Sequence, residues 1–221
     1  GAPRFAKTKR MDAIDLASYL AMEFEALSSL MDSLDRPEES MQWQERYDRL
    51  RERINDHHWD FEDGCYYDVD SHGHQLPMKT TAGLMALAAG VPDRDQAEAL
   101  RLHITHAREF WSPFPLPSVA QDEIDHGKSP WGGTVHPWAN HLVYHGLRRY
   151  GFYEEANQLG RRTLGEIAHV YARTGCLYDR YDASGECLPA DLPGDNDFGE
   201  TGAQPDAPIT AAIYIALTHE L

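Results

Sequence analysis

Between Glu109 and Gly151 the chain interleaves four large aromatic side chains, Trp111, Phe114, Trp131 and Trp138, with the carboxylates of Asp122, Glu123 and Asp125. A flat ring face matches the axial C–H patch of a pyranose, and carboxylates bond its hydroxyls, so these residue types suit carbohydrate binding. Each also has a plainer use. Aromatic rings pack cores and acidic loops are solvated; stacking is the expectation for Trp131, core packing for Trp138.

Histidine is the other reactive type, present twelve times. His141 and His145 stand four apart, and His103 and His106 three apart, so each pair can share a helix face as metal ligands do. Neither has a nearby E-x-x-H or cysteine partner, and the reading is no metal. The acidic stretch with Asp191, Asp195, Asn196 and Asp197 lacks the twelve-residue calcium loop and its terminal Glu. No G-x-S-x-G elbow, P-loop or G-x-G-x-x-G cradle occurs, which leaves acyl transfer, phosphoryl transfer and dinucleotide chemistry without support; no cofactor is expected. Cys65, Cys176 and Cys187 are odd in number and have no C-x-x-C spacing, as free thiols would be.

Thirty-six acidic residues against 20 Lys plus Arg give a formal charge of −16, which repels phosphate backbones and anionic lipid; neither nucleic acid nor membrane is an expected partner. The opening GAPRFAKTKR has no apolar centre of a signal peptide, and a cytoplasmic location is the expectation.

The elements that must position these residues are helical. Ile14, Leu16, Leu20, Phe24, Leu27, Leu30, Met31 and Leu34 recur at three- and four-residue steps, as on one helical face, predicting a helix over 11–34. Pro37 with Glu38 and Glu39 opens a second helix toward His57. Residues 60–73 read as a turn or short hairpin. Further helices are predicted over 80–89, 93–106, 137–150 and 152–174, the last with Leu159, Ile167 and Val170 inward, then a long loop over 175–206, then a final helix over 207–221 with Ile209, Ile213 and Leu217 at helical spacing. About seven short-linked helices favour an α-toroid over a bundle or coiled coil.

Five ordered pieces, APRF followed by MDAIDLASYL, KTTAGLMALAAG, EFWSPFPLPSVA, WGGTVHPWANHLVYHGLRRYG and GCLYDRYDASGE, resemble the C-terminal part of glycoside hydrolase family sixty-three. That family includes processing α-glucosidase and mannosylglycerate hydrolase-like enzymes, with trehalases as relatives. The resemblance spans nearly the whole chain and implies an all-α, (α/α)6 toroid, with residues 1–221 as the C-terminal part of one catalytic domain. It also implies inverting hydrolysis of a small α-glucoside or α-mannoside. Where the family usually reads W-R-G-P-x-W, this chain has Trp131 to His136, so its sugar need not be that of the better-known members.

Inverting hydrolysis needs one carboxylic acid for the leaving group and one carboxylate for water, about 6.5 to 9.5 Å apart. The family's base, a Glu in Y-E-x-Y, corresponds to Asp179 in Tyr178-Asp179-Arg180-Tyr181; the alternative is that Asp179 pairs with Arg180 or caps a turn. His136 replaces a pocket tryptophan, and Asn140 matches the family's pocket-end asparagine, either touching ligand or bracing a loop. The family's acid would align just before Gly1. The reading is therefore a fragment or truncated toroid, exposing apolar faces that the missing part of its own barrel would cover. Two other readings stand beside it: a non-catalytic toroid binding a glycan or partner, and a sugar epimerase or isomerase with His136 or His141 moving the proton.

Overall fold

The computed structural model describes residues 11–127, 132–192 and 202–221. Trp131, the APRF segment and Asp195 to Asp197 lie outside them.

Seven helices follow the sequence periodicity closely: α1 (Ile14–Ser33), α2 (Pro37–His58), α3 (Thr81–Ala88), α4 (Arg94–Thr105), α5 (Pro137–Arg149), α6 (Tyr153–Thr174) and α7 (Pro208–Glu220). Their starts are chemically marked. Pro37, Pro137 and Pro208 occupy first-turn positions, where the missing N–H costs nothing. Asp93 and Gln96 form a reciprocal capping box at α4.

Alternate helices are neighbours: α1 packs on α3, α3 on α5 and α5 on α7, while α2 flanks α1 and α6 flanks α5 and α7. This two-row arrangement of helical hairpins is that of an α/α toroid. The main core fills the space between the rows, with Ile14, Ile54, Met85, Leu87, Leu100, Ile104, Tyr144 and Leu147 buried in it. Gly83 lets α3 lie against the chain at Tyr66: a Cβ there would stand 2.4 Å from the Tyr66 carbonyl oxygen.

The apolar stripe of α1 is divided between core and solvent: Ile14 is buried and Phe24, Leu27 and Met31 are half-buried. Leu16, Leu20, Leu30 and Leu34 are exposed, and the buried face is Ile14, Ser18, Ala21 and Ser28. Small residues win there because they let the backbones of neighbouring helices approach closely. On α7, Ile213 and Leu217 are buried while Ile209 and Ile215 are exposed. The exposed apolar residues of α1 and α7 thus sit on the two end helices of the row. A groove of about 250 Å3 between α1 and the C-terminal end of α2, lined by Leu16, Leu20, Ile54 and His57 among others, contains none of the candidate residues. No described helix is long and apolar enough to cross a membrane.

Short strands tie the loops together. β1 (Met11–Asp12) pairs with β4 (Asp68–Asp70), which pairs with β5 (Gln75–Leu76); β2 (Trp59–Asp60) and β3 (Cys65–Tyr66) form a hairpin where sequence predicts one. β6 (Thr134–Val135) pairs antiparallel with β7 (Tyr181–Asp182), Val135 opposite Tyr181. Isolated bridges join Thr80 to Val119, Pro117 to Val135, and Tyr178 to Pro205. The loops leading into α3, α5 and α7 are therefore stitched into one layer. A second core of Phe114, Val135, Ile167, Tyr178, Tyr181 and Leu192 lies beneath it.

Candidate active site

The β6–β7 ladder brings the segment before α5 against the segment before α7, and with it His136 to Asp179. Asp179 is half-buried. Its N–H donates to the Gln204 carbonyl at 3.1 Å, and its Oδ1 accepts the Gln204 N–H at 2.7 Å. This reciprocal pair fixes the backbone on both sides of the carboxylate. Arg180 is buried and donates through Nη2 to the Gly202 carbonyl at 2.6 Å. Asp182, the next carboxylate along, is held by its own turn: Oδ2 accepts from Ser184 Oγ at 2.5 Å and from the N–H groups of Glu186 and Cys187 at 3.0 Å. Burial works against its charge, but these bonds prevail and hold its pKa below the usual range.

His136, the residue before α5, is buried and hydrogen-bonds the backbone of Asp179. Burial pushes its pKa down to about 4, with the Arg180 charge acting the same way and Asp179 opposing. The ring is thus neutral at pH 7. An unfolded histidine titrates near pH 6.5, so folding releases its proton below that value. The stability due to the neutral ring is full above pH about 6.5 and is lost as pH falls toward 4, by on the order of 3 kcal/mol. Urea midpoints at pH 7 and pH 4.5 should converge in His136→Gln relative to the parent chain; an unchanged difference would show that another group carries the acid sensitivity.

Several sequence candidates are occupied elsewhere. Phe114 is no sugar platform: it is buried against Tyr181, ring centroids 5.3 Å apart, because its segment crosses the second core. Trp111 is half-buried, with the Arg162 guanidinium 5.0 Å from its ring centroid. That cation occupies a ring face a sugar would need. Arg162 also donates to the carbonyls of Ser112 and Pro113, so it braces the loop. Asp122 receives Lys79 Nζ at 2.5 Å, and Glu123 Oε1 receives the Lys79 N–H at 2.9 Å. These carboxylates clamp the acidic loop to the start of α3, with the Asp122 side chain still 38% exposed. Glu109 joins the same network through Lys79 at 3.1 Å and His103 Nδ1 at 2.5 Å.

Asn140, one turn into α5, points inward. Its Nδ2 donates to the Pro115 carbonyl at 3.1 Å and to Thr163 Oγ1 at 2.9 Å, bracing the 112–117 loop, while its Oδ1 has no partner among the described residues. Trp138 contradicts its expected core role. It is 38% exposed and stands in the first turn of α5, 6.2 Å from the ring of His136, which bonds the Asp179 backbone. The sequence offers it for stacking or for the core, and helical spacing favours the core because it does not show which residues of the first turn of α5 other segments cover. Cys65 is buried, and Cys176 and Cys187 are half-buried thiols.

The profile of the mannosylglycerate hydrolase MGH1-like glycoside hydrolase domain matches residues 2–184, and the chain belongs to that family. A mannosylglycerate hydrolase of Rubrobacter radiotolerans is 32% identical over 130 residues, which are 55% of this chain and 29% of the relative. A protein of Borreliella burgdorferi is 28% identical over 152 residues, 66% of this chain and 32% of its own length. Among solved structures, the GH63 mannosylglycerate hydrolase of Thermus thermophilus in complex with glucose superposes with a TM-score of 0.72 at 24% identity, over 96% of this chain and 45% of that one. Neutral trehalase Nth1 of Saccharomyces cerevisiae gives 0.73 at 19% identity, over 96% and 38%. These likenesses show the (α/α)6 toroid fold. The chain spans about a third of the curated relatives it matches and less than half of these two solved structures.

Proposed function

We propose that this chain forms the water-activating part of an inverting glycoside hydrolase acting on a small α-mannoside or α-glucoside, with glycerate-linked sugars the leading class. The observation that carries the reading is the Asp179 carboxylate, fixed by Gln204 beside the neutral His136 and the exposed Trp138. Family membership gives the reaction type, and the mannosylglycerate hydrolases among the relatives point to the substrate.

In this reading Asp179 removes a proton from water as its oxygen attacks the anomeric carbon from the face opposite the leaving group. A carboxylic acid protonates the departing oxygen. We assign that acid to the part of the toroid beyond this chain's span, because Asp182 is tied into its turn and Asp122 into the Lys79 clamp. Residues 1–221 are then one portion of a single catalytic domain. His136 holds the base through its backbone, and Trp138 offers a ring face to the sugar. An epimerase would need His136 or His141 to accept a proton near pH 7, and burial lowers the pKa of both, to about 4 at His136, which makes each a poorer base.

Mannosylglycerate, glucosylglycerate and trehalose, offered separately to the protein with its acid-bearing part present, test the substrate class. The glycerate-linked sugars should be hydrolysed with the higher kcat/KM; preference for trehalose would reject the class. Trp138→Ala should raise KM by about two- to tenfold with kcat little changed, the loss of one aromatic contact worth about 0.5–1.5 kcal/mol. An unchanged KM would remove Trp138 from the site.

A further inference from the structure

Two imidazoles of α5 and one carboxylate of α7 converge on a single point away from the Asp179 loop. His141 and His145 are one turn apart on one helix face, and Glu220 is the last residue of α7. Nε2 of His145 lies 2.8 Å from Nε2 of His141. Glu220 Oε1 lies 3.9 Å from His141 Nε2, and its Oε2 lies 3.5 Å from His145 Nε2. One donor atom from each residue fits within a span of 4.8 Å. The local sequence offers no third ligand for the histidine pair. The toroid supplies one by packing α7 against α5.

We propose that His141, His145 and Glu220 form a site for a divalent transition-metal cation of the zinc class, joining α5 to α7. Zinc binds imidazole nitrogen and carboxylate oxygen at about 2.0–2.2 Å, and tetrahedral angles then separate the donors by roughly 3.3 Å. The three observed separations bracket that distance, so closing around an ion needs only sub-ångström side-chain shifts. Two nitrogens and one oxygen suit zinc, nickel or copper and not magnesium or calcium, which take oxygen ligands. His145 is 45% exposed in its side chain and Glu220 34%, giving an ion a path in and leaving a fourth position for water.

The site would act as a staple. Ala207, just before α7, donates its N–H to the Leu177 carbonyl, and Thr210 Oγ1 donates to the Tyr178 carbonyl, so the N-terminal end of α7 already supports the segment entering Asp179. A metal at Glu220 would anchor the opposite end of the same helix. Because the ion binds the folded arrangement and not the separated helices, it should raise Tm.

Zinc chloride titrated calorimetrically into the chelator-treated intact chain, in a non-coordinating buffer, tests this. The expected result is one site with a Kd of about 10 μM or tighter, a higher Tm on adding zinc, and a tetrahedral ligand-field spectrum with cobalt(II). His145→Gln and Glu220→Gln should each weaken binding by about tenfold or more, while His72→Gln, on an exposed loop outside the cluster, should not. Both altered side chains are exposed enough to leave the core alone, and a melt without metal checks that each variant folds. Saturation only above about 1 mM, or a single site of unchanged affinity in either ligand variant, would overturn the proposal.

Discussion

Asp179→Asn is expected to lower kcat for glycoside hydrolysis by about a hundredfold to ten-thousandfold, the range a positioned general base contributes. The amide is nearly isosteric, and its oxygen can still accept the Gln204 N–H that Asp179 Oδ1 accepts at 2.7 Å. The loop should therefore keep its place and KM should change little, because only proton acceptance is lost. Asp179→Glu addresses a separate point. If the shorter arm holds the carboxylate about 1 Å from its best position, restoring the methylene could recover up to roughly a hundredfold in rate. Full kcat in Asp179→Asn would show that the base lies elsewhere, whatever the glutamate variant does.

A large stability effect is expected at Gly146. This glycine of α5 faces α3, where an added Cβ would stand 2.6 Å from Leu87 Cβ, 2.8 Å from Ala88 N and 2.9 Å from the Leu87 carbonyl carbon. Two of those atoms are backbone and cannot rotate aside. Gly146→Ala must push α5 away from α3, at a cost of about 3 kcal/mol, or a fall in Tm of roughly 6–12 °C for a domain of this size. Gly165 in α6 provides the contrast. An added Cβ there meets nothing within 4 Å, and Gly165→Ala should raise stability by about 0.5–1 kcal/mol through ordinary helix propensity. Thermal melts of the two variants measure both; a small loss at Gly146 would mean that the α3–α5 contact is looser than its atoms indicate.

Helix positions were legible because they depend on local signals. Pro37, Pro137 and Pro208 at first turns, the Asp93 and Gln96 box, and the three-and-four apolar step all act within a few residues. Which face each helix buries was less legible. The stripe of α1 reads as one apolar face, yet Ile14 is buried in company with Ser18, Ala21 and Ser28 while Leu16, Leu20 and Leu30 are exposed, since periodicity marks an apolar face without naming what covers it. The site shows the same division. Asp179 was reached through family resemblance, but its contact with His136 depends on the β6–β7 ladder, whose partners are far apart in sequence. Asp122, Phe114 and Trp111 had the right chemistry for sugar binding; Lys79, Tyr181 and Arg162 occupy them, and those pairings exist only after folding. Glu220 escaped the sequence reading for the same reason, being remote along the chain from the histidines it meets.

The most direct test of the central claim uses α-mannosyl and α-glucosyl fluoride, whose leaving group departs without protonation and so isolates the water-activating step from the acid. Proton NMR during hydrolysis by the protein records which anomer of the free sugar forms first. Release of fluoride with the β-anomer appearing first is the predicted result, with the same reaction suppressed in Asp179→Asn. First formation of the α-anomer, or fluoride release undiminished by that substitution, would contradict an inverting site built on Asp179.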